Sequence, residues 1–379
     1  MAADDRKKLI AAATAAVKKT FKGSISDVAS KALEFPSVWA STGSLSLDRL
    51  FTGYNPGGVP MGPRFGRIIH IPGEWSTAKS LVLDHMMKSV IVALKGLGKV
   101  SETEGSRDPH FANAIGLPLD LLSIDRPDTI ETMFDMFIEW HEAVRKQDAE
   151  IPVLWGIDSL DSTEAEKAAA HGLSESGGWR MGGGASEALG AGLRKIAKVC
   201  SRYPTTVVMI NQTRDNVGVM FGPKKRTSKG NAPHFYCSLE VWLSGAPRPG
   251  HGYVRADVDA PKLTKETVRR LGLYNLDDTA VVGRYVRAKV TKTKMSTTLD
   301  TTADFYVDFQ KGVHLWEGLL ERMVFEGRVK PNNDMTEFEM ADRTTGEMLK
   351  FGSKKEWLNY VAQHPAVLTA SEPGAGEKG

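Results

Sequence analysis

The sequence predicts an α/β fold built on a mainly parallel central sheet, with an N-terminal helix and a small C-terminal α/β segment. Three observations carry that expectation. Apolar runs of strand length alternate with longer stretches of helical periodicity. The runs at Ile68–Ile71, Pro152–Ile157 and Thr205–Ile210 are apolar throughout, as in a parallel sheet covered on both faces. Gly66-Arg-Ile-Ile-His-Ile-Pro-Gly-Glu-Trp-Ser-Thr-Ala-Lys-Ser80 passes from one such run through a turn into a helix, which is the setting of a phosphate-binding loop.

In chain order, Asp4 and Asp5 are N-cap candidates for a helix to about Phe21, with Ile10, Thr14, Val17 and Phe21 on one narrow apolar stripe that needs a partner surface. Residues 22–36 read as a linker. Ser41-Thr-Gly-Ser-Leu-Ser-Leu-Asp48 reads as a turn capping a helix, followed by the glycine-rich Gly53–Gly62. Val100–Glu104 is a second, more polar strand, and Asp128–Arg145 an amphipathic helix. Pro152–Asp158 is a strand, Ala185–Arg202 a helix, and Thr205–Ile210 a strand closed by Asn211-Gln212. Leu173–Gly184 and Thr213–Gly230 read as long loops without regular structure, a kind that tends to be functional. Strands are expected at Tyr236–Leu243 and Val281–Val290, on either side of a polar stretch, Ala246–Asp278. A smaller α/β-like segment follows from 313 to 365, then a polar tail from 366 to 379.

The chain has 379 residues, 41% hydrophobic and 25% charged, with a formal net charge of +3. That balance is ordinary for a water-soluble protein, and no apolar run approaches a membrane span. Nucleic-acid binding would therefore have to come from local clustering of charge. Cys200 and Cys237 lack metal-type spacing and read as buried free thiols of a reducing cytoplasm.

In the loop Gly73–Ser80, backbone N–H groups at the helix start would cradle a polyphosphate. Lys79 would reach the terminal phosphates, and the Ser80 hydroxyl would ligate Mg²⁺. Asp158, an acid at the tip of an apolar strand, suits the opposite side of that metal or is a solvated strand end. Glu102 and Glu104 stand at another strand end. Either carboxylate could activate water or be surface charge, and spacing does not choose. Gln212 would sense the γ-phosphate or cap a turn. The loop after it carries Arg214, Lys224, Lys225, Arg226 and Lys229 against Asp215, with Val217, Val219, Met220 and Phe221 interleaved. That mixture suits phosphates and bases better than it suits a solvated face. Lys289, Lys292 and Lys294 alternate along a strand end, as edge-strand lysines or phosphate contacts.

Ser41–Asp48, Val59–Gly62, Gly73–Ser80, and above all Ile210-Asn-Gln-Thr-Arg-Asp-Asn-Val-Gly-Val-Met-Phe-Gly222 with Gly230-Asn231 and Phe235-Tyr236, resemble the RecA recombinases over nearly the whole chain. The resemblance implies a RecA-like P-loop NTPase core over 39–312, a neighbour-docking N-terminal segment over 1–38, and ATP and Mg²⁺ as cofactors. It selects Glu104, not Glu102, as the catalytic glutamate, working with Lys79 and Gln212. It puts Gly73, Glu74, Trp75, Ser76, Thr77, Ala78, Ser80, Leu81 and Asp158 around the nucleotide, with Asp108 and Phe111 at the adenine. Lys292 and Lys294 would reach ATP bound by the neighbouring subunit. DNA contacts are implied for Trp179, Arg180, Met181 and Gly182 in a first loop, and for Arg194 on the helix after it. A second loop would add Arg214, Asp215, Asn216, Val217, Gly218, Phe221, Lys224, Lys225, Arg226, Lys229, Gly230 and Asn231.

The implied activity is ATP-dependent filament formation on single-stranded DNA, pairing with homologous duplex and strand exchange, in a bacterial or phage-infected cytoplasm. The alternative is an ATP-gated DNA-binding filament with little or no hydrolysis. It is motivated by Ala78, which stands where such loops usually carry a glycine, and by the polar strand before Glu104. Pro63-Arg-Phe-Gly66 and the long Ala246–Asp278 also depart from the family pattern, which points to a phage-encoded or otherwise divergent member.

Overall fold

The continuous apolar runs form the middle of one large sheet in the computed structural model. The model describes residues 3–20, 38–52, 62–105, 107–169, 184–216, 225–248, 252–257, 279–294, 301–325, 327–342 and 345–364. Residues 1–37 and 38–379 form two units. In the first, helix α1 spans Ala3–Thr20 with Asp4 and Asp5 in its first turn, where they favour the helix dipole without serving as the cap. Ile10 and Val17 of its stripe are exposed.

The second unit is organised by β1 (Ile68–Gly73), β2 (Leu97–Glu102), β3 (Leu122–Asp125), β4 (Val153–Asp158), β5 (Thr205–Asp215) and β7 (Leu239–Gly245). These lie in the order β7-β1-β5-β4-β2-β3, and every pairing among them is parallel. Beyond β7 the sheet turns antiparallel through β9 (Thr279–Thr293), β10 (Thr302–Asp308) and β11 (Gly312–Val313), while β8 (Tyr253–Asp257) pairs with β9. Alternate residues of each central strand feed opposite faces. Ile69, Ile71, Leu154, Val208 and Ile210 meet helices α2 (Leu45–Thr52) and α3 (Lys79–Lys88). Ile68, Val153, Trp155, Val207 and Met209 meet α5 (Ile130–Gln147) and α7 (Ala185–Arg202). Phe137 of α5 stacks on Trp155 at 3.9 Å, and the indole N–H donates to Ser101 Oγ at 3.0 Å. Two-sided burial is the reason these strands read as unbroken apolar runs. Cys200 and Cys237 are buried and free.

Strands β3 and β8 were not expected from the sequence, and three further differences bear on the site. Strand β5 does not close at Ile210 but continues to Asp215, and Thr213–Asp215 pair antiparallel with β6 (Lys225–Thr227). The basic loop thus leaves and returns through a β-ribbon, because Thr213–Asp215 find cross-strand partners in a segment ten residues on or more. Tyr236 ends a short helix, α8 (Ala232–Tyr236), with Pro233 in its first turn, and β7 starts only at Leu239. Glu102 ends β2, and Glu104 lies beyond it. The loop tip at 217–224 and the first loop at 170–183 lie outside the described residues.

The segment after Gly312 has its own apolar cluster. It comprises α9 (Leu319–Phe325), the three-stranded β12 (Val329–Pro331), β13 (Phe338–Ala341) and β14 (Met348–Phe351), and α10 (Lys354–Gln363). It belongs to the same compact unit as the sheet. Leu45 N–H donates to Leu315 O at 2.9 Å, and Arg322 Nη1 donates to Thr302 O at 2.9 Å. No helix among the described residues is long and apolar enough to cross a membrane.

The Ser41–Asp48 turn is held from within. Ser41 Oγ donates to Asp48 Oδ2, and the Thr42 N–H and Oγ1 donate to Oδ1, each at 2.6 Å. Burial pushes the Asp48 carboxyl up to about 6, against those hydrogen bonds, which favour its charged form. With its folded-state pKa above the unfolded value, Asp48 contributes stability below about pH 4 and loses it as pH rises through 6. The parent should lose about 2–3 kcal/mol relative to Asp48→Asn across that window, read from thermal unfolding at several pH values. A difference that does not change with pH would contradict this account.

Candidate nucleotide site

Parallel register brings the functional side chains to one edge. Gly73 of β1 lies opposite Gln212 of β5, and Glu102 of β2 lies opposite Asp158 of β4. The strands therefore end at one level, beside the turn that opens α3. A cleft of about 570 Å³ there is lined by Trp75 to Leu81, Glu102, Glu104, Asp108, Phe111, Asp158 and Gln212, which include most of the nucleotide-site residues expected from the sequence.

Lys79 is buried, and its Nζ donates to Gly73 O at 3.1 Å and Glu74 O at 2.6 Å. Burial lowers its pKa, while Asp158, Asp161, Glu104 and Glu74 oppose that shift. Asp158 is raised by burial, against a hydrogen bond from Ser80 and the charge of Arg107. Ser80 and Asp158 are thus adjacent oxygen donors. Glu104 is exposed, and its Oε1 accepts from Ser159 Oγ at 2.5 Å and from Gln212 Nε2 at 3.2 Å. Glu102 is buried and receives Arg126 Nε at 3.2 Å. Of the two strand-end acids, Glu104 is therefore the one joined to Gln212. Asp108 caps α4 (Pro109–Ala114), accepting the His110 N–H at 2.8 Å, and Phe111 packs half-buried one turn on.

Several contributors carry no sequence motif. Arg107 Nη1 donates to Asp84 Oδ1 at 2.6 Å, and Nη2 lies 3.6 Å from Asp158. Burial pushes Asp84 up to about 6, with Arg107 opposing. Arg284 of β9 donates to Ser76 O at 2.8 Å and stacks on Tyr253. Asp161 Oδ2 accepts the Gln212 N–H at 2.5 Å and Asn211 Nδ2 at 3.3 Å, and Oδ1 accepts Ser228 Oγ. Arg107 was within sequence reach, between Glu104 and Asp108, as was Asp161 in Asp158-Ser-Leu-Asp161. Arg284, on a strand distant in sequence, gave no signal.

The residues fit a nucleotide triphosphate with Mg²⁺. Arg107 Nε and Nη2 and Arg284 Nε are buried without hydrogen-bond acceptors, and both guanidinium groups face the cleft beside Lys79. A polyanion would satisfy them, and Ser80 with Asp158 form the hard oxygen pair that Mg²⁺ takes.

Residues expected to bind DNA are divided. Trp179, Arg180, Met181, Gly182, Val217, Gly218, Phe221 and Lys224 lie outside the described residues. Arg214 and Arg226 are exposed partners across the ribbon. The Asp215 backbone pairs with Lys225, and Asn216 follows it. Lys225 forms an ion pair with Glu74 of the phosphate loop. Burial lowers the Lys229 pKa, with Glu164 and Asp161 opposing. Gly230 and Asn231 are exposed at the start of α8, and Arg194 Nε reaches Tyr236 Oη at 3.3 Å. Lys292 Nζ donates to the His234 and Phe235 carbonyls, and the Lys294 N–H donates to Ser238 O. Neither lysine lines the cleft. They lie eight or more residues along β9 from Arg284, roughly 25 Å away.

Ala78 has φ +60° and ψ 28°, a left-handed conformation that disfavours alanine by about 1 kcal/mol or more. Ala78→Gly should therefore raise stability by about 0.5–1 kcal/mol in chemical denaturation. A loss of about 1 kcal/mol, as for an ordinary helical alanine, would show the residue to be right-handed.

A family model described as the RecA N-terminal domain matches residues 8–247, more than half of the chain. Similar curated proteins include Protein RecA 1 of Myxococcus xanthus, 27% identical over 97% of this chain and 92% of its own length. Protein RecA of Mycolicibacterium gilvum is 28% identical over 99% and 93%. Protein RecA of Kineococcus radiotolerans is 30% identical over 88% and 83%. With that match spanning the phosphate loop, Glu104, Asp158 and the ribbon of β5 and β6, the chain belongs to the RecA recombinase family.

Proposed function

We propose that the protein is a DNA-dependent ATPase that assembles on single-stranded DNA and pairs it with homologous duplex for strand exchange. The observation that carries this reading is the position of Gln212. Its side chain reaches Glu104 in the cleft, and its strand runs directly into the basic ribbon. One strand thus joins the hydrolytic edge to the DNA-binding segment.

Mg·ATP, when bound, supplies the phosphoryl group and the metal charge. Lys79, Arg107 and Arg284 supply positive charge where the phosphates lie, and Ser80 and Asp158 would hold the metal. Glu104 orients a water and takes its proton. Both of its hydrogen bonds, from Ser159 and Gln212, fall on Oε1, so Oε2 faces the task. Asp108 and Phe111 form the adenine side. Occupancy biases Gln212 and, through β5, the ribbon that carries Arg214 and Arg226. The exposed stripe of α1 docks on a neighbouring subunit, and Lys292 and Lys294 act on the neighbour's nucleotide.

ATP turnover with and without single-stranded DNA tests the reading. Glu104→Gln should keep ATP-dependent DNA binding and lower turnover by about a hundredfold or more. Lys79→Ala should abolish that binding. DNA binding that responds to ATP with no DNA-stimulated turnover in the parent would leave a gated filament instead. Lys292→Ala should lower turnover only in assembled protein, and an equal loss in dispersed subunits would refute the action in trans.

A further inference from the structure

Away from the cleft, His70, Cys237 and Glu240 bring a ring nitrogen, the thiol and a carboxylate oxygen within 4.8 Å of one another, all buried. Topology assembles them. His70 of β1 lies directly opposite Glu240 of β7, and Cys237 occupies the turn between α8 and β7. His234, Cys237 and Glu240 recur at every third residue, so the helix end, the turn and the strand converge. His234 Nδ1 lies 3.0 Å from Glu240 Oε2, and His70 Nδ1 lies 2.9 Å from that same oxygen.

This spacing suits ligands around one ion. Two ligands at zinc's bond length of about 2.0–2.1 Å, in tetrahedral geometry, stand about 3.3 Å apart, within a few tenths of an ångström of these separations. Glu240 is oriented from outside the cluster. Its Oε1 accepts Trp242 Nε1 at 3.0 Å and Thr291 Oγ1 at 2.6 Å, which leaves Oε2 to the imidazoles. Outer donors that fix a carboxylate in this way are the usual support of a metal ligand. His70 turns Nδ1 to Glu240, its Nε2 is buried without a partner, and Cys237 Sγ donates to His234 O at 3.2 Å.

We propose that His70, Cys237 and Glu240 form a structural zinc site joining β1 to the turn between α8 and β7, with His234, outside that mutual 4.8 Å group but 3.0 Å from Glu240, turning in as the fourth ligand. A thiolate with imidazoles and one carboxylate selects Zn²⁺ over the all-oxygen preferences of Mg²⁺ and Ca²⁺. His234, whose side chain is 51% exposed, gives the ion its path in. Binding replaces the Cys237 thiol proton, which leaves to solvent. Lys292 donates to the His234 and Phe235 carbonyls, so an ion that fixes His234 also fixes the acceptors of that lysine.

The test uses full-length protein stripped by a chelator and titrated with Co²⁺, a spectroscopic stand-in for Zn²⁺. One Co²⁺ per chain should bind with a thiolate-to-cobalt charge-transfer band, and Zn²⁺ should displace it. Cys237→Ser should abolish the band, while Cys200→Ser, at the only other thiol in the chain, should retain it. His234→Ala, at a half-exposed ring, should weaken Co²⁺ binding at least about tenfold. The proposal is overturned by a parent with no charge-transfer band, or by a band that survives Cys237→Ser. Should Cys237→Ser fail to fold, unchanged affinity in His234→Ala overturns it instead.

Discussion

The structure depends on a lysine taken out of water at the edge of a parallel sheet. Lys79 is buried where β1 ends, and burial lowers its pKa. Asp158, Asp161, Glu104 and Glu74 oppose that shift, and the Gly73 and Glu74 carbonyls accept its hydrogen bonds. These carboxylates come from the ends of β4 and β2 and from the loop itself. They surround one ammonium only because β1, β5, β4 and β2 are parallel and in register. Removing one partner of a buried charge group costs more than the group as a whole contributes, so the site constrains the sheet as much as the sheet positions the site.

The same edge joins the phosphate loop to the basic ribbon. Asp161 accepts hydrogen bonds from the Gln212 backbone, Asn211 and Ser228, tying both flanks of the ribbon to the 3₁₀ turn after β4. Lys225, on the returning strand, pairs with Glu74 in the phosphate loop. That ion pair is partly exposed, and such pairs contribute about 1 kcal/mol or less. A weak tie of this kind is suited to exchange. Phosphate oxygens of a DNA backbone could replace Glu74 on Lys225 without unfolding anything, whereas the Asp161 hydrogen bonds would persist.

Much of this was legible in the sequence because it follows from local chemistry. The apolar runs gave the central strands, and the loop gave Lys79, Ser80 and the helix start. The strand-tip acid Asp158 and the pair Glu104 and Gln212 all line the cleft. What escaped depends on register between distant segments. Arg284 enters from an antiparallel strand two places away in the sheet, and Arg107 matters through Asp84, one turn into α3. The ribbon at Thr213–Asp215 escaped because polar, charged residues mask a strand whose pairing is decided by Lys225–Thr227. Tyr236 looked like strand by composition, but Pro233 favours a helical first turn.

The remaining feature is how much of the site a single chain leaves open. Trp75, on the phosphate loop and lining the cleft, is 75% exposed, and Phe235, beside the carbonyls that hold Lys292, is 73% exposed. Large aromatic side chains gain nothing from water, and in contiguous patches they mark surfaces that another molecule covers. Covering Trp75 would exclude solvent from the mouth of the cleft and strengthen every charge interaction around Lys79. Lys292 and Lys294, six and eight residues beyond Val286, the cleft-lining residue of β9 nearest to them, lie about 20 Å or more from the cleft and have no route to it within the same chain. A second subunit that brought their equivalents over Trp75 would supply both the cover and the missing positive charge. Under the proposed function the open cleft is half a site, which assembly on DNA would complete.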